Sequence, residues 1–207
     1  MKITKIIPKI IFVLAAIIFI LFPYPNADLY LRIHFLNPDV ASNDKIPSGT
    51  CALYYTSDIP NAFSQEHVIQ SEIDTELNCV TFILDSSLAN KLNGLRIDFP
   101  SSGNLLCINN VTLSSAGIIQ KQFNPCHFFA KENLIQKNDI PAMSLATARN
   151  HVYVQTGILD PYVILSDSLV SQINKGYSSY RLTRLGICIF IFAVYFMAKK
   201  NIFSKNQ

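Results

Sequence analysis

Tryptophan is missing from this chain, and with it the ring on which proteins most often stack a sugar. Any such platform would have to come from the 9 tyrosines or 14 phenylalanines. Several catalytic signatures are missing as well. There is no GxSxG elbow, no HExxH, no P-loop and no dinucleotide fingerprint, so these routes to acyl transfer, zinc hydrolysis and nucleotide binding have no carrier. CxxC does not occur, which removes a zinc ribbon and a thioredoxin-type dithiol. His34, His67, His127 and His151 are scattered, and His127 adjoins Cys126, a spacing that suits no usual metal geometry. No cofactor is expected. Helical periodicity is scarce, and there is neither an internal repeat nor a low-complexity tract.

Acidic residues are absent from both ends: all 14 lie between Asp28 and Asp167. The net charge of +3 is therefore a property of tails carrying Lys2, Lys5, Lys9, Lys199, Lys200 and Lys205. Residues 25–180 hold nine Lys and Arg against those 14 acids, so the middle is acidic and nucleic acid is not an expected partner. Each tail adjoins an uncharged run, IIFVLAAIIFILF (10–22) and LGICIFIFAVYFMA (185–198). With their flanks both approach the ~20 helical residues that a bilayer core of about 30 Å requires. Lys9 and Arg184 are placed to snorkel toward headgroups. The first run also has the basic start of a signal peptide. PYPNAD after it offers a poor cleavage site, which favours an uncleaved anchor.

Lysine-rich tails favour the cytoplasm. The expected organisation is an N-terminal transmembrane anchor at 1–24, a tether at 25–49 in which LYLRIHF can add a strand, an extracytoplasmic domain at 50–176, a transmembrane helix at 177–198 and a basic cytoplasmic tail at 199–207. Membrane lipid is thus an expected partner. The expected location is the bacterial inner membrane, with two passes, both termini cytoplasmic and the domain periplasmic. Arg181 and Arg184, on the outer flank of the second span, weigh against that orientation without reversing it. Cys51, Cys79, Cys107 and Cys126 all fall in the middle, where an oxidising compartment favours two bridges. Pairing of neighbours, Cys51 with Cys79 and Cys107 with Cys126, is the expectation; four buried free thiols are the alternative.

Between the apolar runs the dominant period is two, the mark of half-buried strands. Leu95, Ile97 and Phe99 share one face while Arg96 and Asp98 share the other. Val80, Phe82 and Leu84 form a similar set, as do Val152, Val154, Thr156 and Ile158, and LYLRIHF alternates from Leu29 to Phe35. PYVIL and CALYY add short apolar runs. In LLCINNVTL the apolar positions change face around Asn109 and Asn110, as a bulge requires. Turn chemistry separates the strands at Asn93-Gly94, at Pro100 to Gly103 and at Asn124-Pro125. SDSLVSQINKG reads as a helix capped by Ser166 or Asp167 and stopped by Gly176, and SSLANKLNG as a shorter one. The fold class expected is all-β, a jelly-roll or β-sandwich domain flanked by N- and C-terminal transmembrane helices.

The stretch VTFILDSSLANKLNG, then LRIDF, a proline and glycine turn and LLCINNVTL, resembles the hairpin of extracytoplasmic jelly-roll domains attached to bacterial membrane glycan enzymes. Those carbohydrate-binding-like domains often carry L-R-x-D-P followed by a turn and a strand. Leu95, Arg96, Asp98 and Pro100 match it with Phe99 inserted. CALYYTSDIPNAFSQEHVIQSEI is similar to their opening strand and aromatic loop, and TGILDPYVIL to their closing phrase, so the resemblance spans about residues 50–165. It implies a non-catalytic accessory to surface-polysaccharide synthesis or modification that touches glycan or a polytopic glycosyltransferase. Tyr54, Tyr55 and Phe63 are the candidate glycan contacts, with Phe123, Phe128 and Phe129 as further aromatic candidates.

Two other classes stay open: a receptor-like or adhesin-like protein-binding module, and a hydrolase. KIPSGTCALYY is similar to the P-S-x-S-M phrase of bacterial signal peptidases, with Thr50 where the nucleophile belongs and Lys91 as its base, although Cys51 replaces the methionine. Asp98 and Asp160 as paired carboxylates read better as strand and turn residues.

Overall fold

The structure, a computed structural model, describes residues 27–36, 48–59, 62–115, 117–177, 186 and 189–190. Residues Ala27–Tyr177 form one compact unit. Its described part holds two antiparallel sheets. The first runs β4 (Cys79–Leu84), β1 (Leu29–Leu36), β6 (Leu105–Ser115), β10 (His151–Gln155) and β9 (Ala142–Ala146), with β7 (Ile118–Phe123) beside the second half of β6. The second runs β3 (Val68–Glu72), β2 (Thr50–Thr56), β5 (Gly94–Asp98), β11 (Tyr162–Leu165) and β8 (Leu134–Asn138). Their inner faces share one core, from Leu31, Ile33, Phe82, Ile108 and Val154 on one side to Leu53, Leu95, Ile97 and Val163 on the other. The class is an all-β sandwich, as the alternation predicts.

Burial follows the alternation strand by strand. Leu95, Ile97 and Phe99 are buried, while Arg96 and Asp98 stand on the outer face of the second sheet. On β6 the register slips between Ile108 and Asn110 opposite β1, which is the expected bulge. It lets Leu106 and Ile108 before it, and Val111 and Leu113 after it, all enter the core. Ile158 departs from its series: it lies beyond the end of β10 and is exposed.

Three expectations are corrected. The tether assigned to 25–49 contains a central strand, because Leu29, Leu31, Ile33 and Phe35 are buried and β1 is hydrogen-bonded on both sides, to β4 and β6. SSLANKLNG forms only the 3-10 turn Ser86–Leu88; Asn90 then adopts positive φ, which ends any helix. Residues 167–177 are helical with Ser166 as the cap, its Oγ and carbonyl both accepting from the Leu169 amide, but Gly176 does not stop this helix. It lies inside it, where a Cβ would stand 2.4 Å from Leu113 Cδ2. The glycine lets the helix approach β6 closely enough for Leu169, Val170, Ile173 and Tyr177 to close the core.

The spans expected at 1–24 and 177–198 lie, apart from 177, 186 and 189–190, outside the described residues, as does the tail at 199–207. Among the described residues no helix is long and apolar enough to cross a membrane. Both boundaries of the compact unit fall at one end of the sandwich. Asp28 accepts from the Ser86 amide and, through its carbonyl, from Ser115 Oγ, while the Tyr177 hydroxyl donates to the carbonyls of Leu84 and Asp85. Leu29 pairs with both Leu84 and Ser115. The opposite end carries the Pro100 to Gly103 turn and the loop from Gly157 to Asp160, joined by the Gly103 amide on the Gly157 carbonyl.

The expected disulfides are also corrected: Cys51, Cys79, Cys107 and Cys126 are free and buried. Strand parity is the reason. Cys51 enters the core from the second sheet, whereas Cys79 points away from the core on the outside of the first. Cys107 likewise faces outward, bonded to Tyr153, whereas Cys126 enters the core from the one-turn helix Pro125–Phe128 and donates to the His151 carbonyl. Burial pushes the Cys51 thiol up to about 12, with the Asp98 charge adding to it, and burial raises Cys107 and Cys126 as well. In a Cys188→Ser background the folded chain is therefore expected to leave these four thiols unmodified by Ellman's reagent, and the denatured, unreduced chain to yield all four. Fewer than four after denaturation would reveal a bridge.

Candidate functional site

The outer face of the second sheet gathers polar and aromatic side chains from three strands. β5 contributes Arg96 and Asp98, β2 places Tyr54 opposite Arg96, and β11 places Tyr162 opposite Asp98. The guanidinium runs along its own strand to Asp98 and binds it bidentately, Nε to Oδ1 and Nη2 to Oδ2, both at 2.7 Å. Nη2 also donates to Asp160 Oδ1 at 3.0 Å. Arg96 Cζ lies 3.7 Å from the ring centroid of Tyr162 and 5.1 Å from that of Tyr54, so the cation is held between two rings. Gln136 Nε2 donates to the Tyr162 hydroxyl and Tyr54 donates to Gln65, which fixes the two rings in turn.

Both charged groups are shifted. Burial works against the charge of Arg96, but the hydrogen bond and charge of Asp98, with Asp160 behind it, outweigh burial and hold the guanidinium above its usual value. Burial raises Asp98, and Arg96 pulls it partly back down.

Asp160 reaches this cluster on a loop braced by Asp139. The Asp139 carboxylate accepts from the amides of Leu159 at 2.7 Å and Asp160 at 3.1 Å, and its carbonyl accepts from the Gly157 amide. A Cβ at Gly157 would run into the Asp139 carboxylate, so a larger residue there would push this brace aside. The same brace holds Ile158 and Leu159 out in solvent, 72% and 81% exposed.

The sequence candidates divide. Tyr54 belongs to the cluster. Tyr55 turns the other way, packs against the core and stacks on His67 at 5.2 Å. Phe63 is half-buried in the loop between β2 and β3. Phe123, Phe128 and Phe129 are core side chains. Tyr162 escaped the sequence reading, although alternation in PYVIL put it opposite the buried Val163.

Asp98 and Asp160, which read better as isolated turn and strand residues, do meet, because β11 brings Asp160 alongside the end of β5. A guanidinium nitrogen fills the space between them, where a glycosidase would need its scissile bond. The arrangement therefore offers binding chemistry: two half-exposed rings and an ion pair whose remaining lone pairs and protons suit hydroxyl groups. Thr50 and Lys91 do not meet. Lys91 lies past the Thr56 end of β2, and Thr50 begins the strand about 20 Å away at the usual rise per residue. Among the described residues no three His, Cys, Asp or Glu side chains converge as a metal site requires.

Comparison of the chain with family models, with curated proteins and with solved structures gives no match.

Proposed function

We propose that this chain is a non-catalytic, membrane-anchored accessory of bacterial surface-polysaccharide synthesis or modification, and that its sandwich binds glycan on the face formed by Tyr54, Arg96 and Tyr162. The observation that carries the reading is the Arg96 cluster, in which two half-exposed tyrosines flank a guanidinium held by two carboxylates. A sugar offers flat C–H surface and paired hydroxyls, and this face offers ring surface beside preset donors and acceptors. Leu95, Arg96, Asp98 and Pro100, the residues that resemble the jelly-roll glycan domains, are those that place the cluster, and the two-sheet strand order is in keeping with a jelly roll.

Two apolar runs flank the domain in sequence, and both its boundaries fall at one end of the sandwich, an arrangement that suits two spans entering one membrane from the same side. In this reading both termini are cytoplasmic and the sandwich is periplasmic. Catalysis belongs to a polytopic glycosyltransferase beside it, since two spans are too few to enclose a lipid-sugar active site.

The test is retention of the purified full-length chain, in mild detergent, on immobilised surface polysaccharide. Tyr54→Ala and Tyr162→Ala are each expected to weaken binding about tenfold, since an aromatic contact adds about 0.5–1.5 kcal/mol beyond its buried area. Absence of wild-type binding, or variants that bind as well as wild type, would defeat the glycan reading. The braced Ile158–Leu159 tip favours a second reading, a protein-binding module, because exposed aliphatic side chains on a rigid loop suit a partner's apolar pocket. Leu159→Asp would then abolish copurification of a partner while leaving glycan retention intact.

A further inference from the structure

We infer that the boundary end of the sandwich carries a lipid-contacting rim, in which Ile83, Tyr30 and Ile119 on the first sheet, and Ile59 at the same end of the second, sit in the interfacial layer of the bilayer. The inference rests on the membrane-anchored reading above and adds a surface to it.

On the outer face of the first sheet, register places Ile83, Tyr30, Ser114 and Ile119 in one row across four strands. Ile83 is 50% exposed and Ile119 64% exposed, and Tyr30 between them is partly exposed. This is the row nearest the chain boundaries, since Leu29, Leu84 and Ser115 are the next positions along their strands and meet Asp28 and Tyr177. Ile59, 67% exposed, reaches the same end from the second sheet, on a loop tied down by Asn93 Nδ2 on the Ser57 carbonyl.

Chemistry changes one row farther along the same face. Two residues on along β4, β1 and β6, about 7 Å, and three on along β7 past its register shift, the row reads Thr81, Arg32, Thr112 and Gln122, with Arg32 Nε bonded to Thr81 Oγ1. Aliphatic and tyrosine side chains at the boundary with a guanidinium above them match an interface in which apolar groups meet acyl chains and cations meet phosphate. Asp28 and Asp85 at this end are turned to the backbone amides of Ser86 and Ser87, and Asp58, beside Ile59, is exposed, as a carboxylate facing the headgroup water would be.

A lipid surface is the occupant because both boundaries of the domain, at Asp28 and Tyr177, lie at this end, and the uncharged runs 10–22 and 185–198 are the segments of the sequence beyond them. A membrane entered within a few residues of Asp28 and Tyr177 would meet this rim first, at the interfacial depth where tyrosine is favoured.

The absence of native tryptophan provides the probe. Full-length Ile83→Trp and Ile119→Trp, each the sole tryptophan in its chain, are reconstituted into phosphatidylcholine vesicles containing a phosphatidylcholine brominated in its acyl chains. Leu77→Trp, 64% exposed in the turn before β4 at the opposite end, is the control. The rim variants are expected to lose about half their emission to bromolipid, because interfacial side chains lie about 5–10 Å into the headgroup and acyl boundary, while Leu77→Trp loses none. If both rim variants are quenched no more than Leu77→Trp while the chain resists alkaline carbonate extraction, the rim is overturned and the anchored reading survives. Extraction of the chain by carbonate would overturn both.

Discussion

Phe128→Ala is expected to lower the unfolding free energy by about 3–5 kcal/mol, a large share of the roughly 5–15 kcal/mol that holds a domain folded. Phe128 is fully buried and meets two rings edge-on, Phe123 at 5.2 Å and Phe129 at 5.0 Å, and Phe129 leans on Phe99 at 6.4 Å. These four rings join β7, the one-turn helix Pro125–Phe128 and the residue that follows β5. Truncation removes a fully buried aromatic surface and leaves a cavity whose walls are held by separate elements, so collapse cannot recover the loss. Urea unfolding in mild detergent, followed by near-ultraviolet tyrosine dichroism, measures the effect. Phe63→Ala, in a loop, is expected to cost less than about 1 kcal/mol in the same assay. A loss at Phe128 no larger than that at Phe63 would place the ring outside the core.

Arg96→Met is expected to cost about 2–4 kcal/mol at neutral pH, and the cost should depend on pH. Methionine keeps the apolar stem but leaves Asp98 without its charge partner, and at 16% side-chain exposure water replaces that partner poorly. Asp160, 55% exposed, is resolvated and contributes little. Burial already raises Asp98 above its usual value, with Arg96 opposing the rise, so the substitution removes the opposition and the folded-state value climbs further.

For a carboxyl whose folded value lies above its unfolded one, the fold binds the proton more tightly. Its contribution to stability is therefore greatest at low pH and declines as pH rises through the folded value. The variant's deficit should accordingly be small at about pH 3, where Asp98 is protonated, and grow toward neutrality. Asp98→Asn in the Arg96→Met background should recover most of the loss, because the buried charge is gone; a pair that did not interact would give additive losses instead. Urea midpoints of the two single variants and the double variant at both pH values settle the cycle. A deficit independent of pH would remove Asp98 from the account.

Much of the sandwich was legible because its central strands bury one face and expose the other. Leu31, Ile33, Phe82, Leu95, Ile97 and Val152 could all be assigned from parity alone. Even the bulge at Asn109 announced itself, since the apolar positions of β6 change phase there. The edge strands β3, β8 and β9 were not legible: VIQSE, LIQKN and AMSLA bury little, so they carry no clean alternation and owe their conformation to a neighbour's hydrogen bonds. The alternation of β1 was visible inside the stretch 25–49, whose prolines and small polar residues read as a tether; what the sequence did not show is that this strand is central, paired with both β4 and β6. The helix through Gly176 was cut short by treating glycine as a stop, when its role is the close approach to Leu113.

What the sequence by itself determined is local and periodic: an all-β middle, which side chains of its central strands face inward, the turn positions, and acidic charge confined between two apolar runs. These follow from the two-residue repeat of a strand and from counting charges, neither of which needs a partner strand. Tertiary structure alone decided that Arg96 gathers Asp98, Asp160, Tyr54 and Tyr162, that the four thiols stay apart, and that Ile83, Tyr30 and Ile119 align. Each is a matter of register between segments up to about ninety residues apart, set by packing of the two sheets on one core, and a one-residue slip in any pairing would send those side chains to the opposite face.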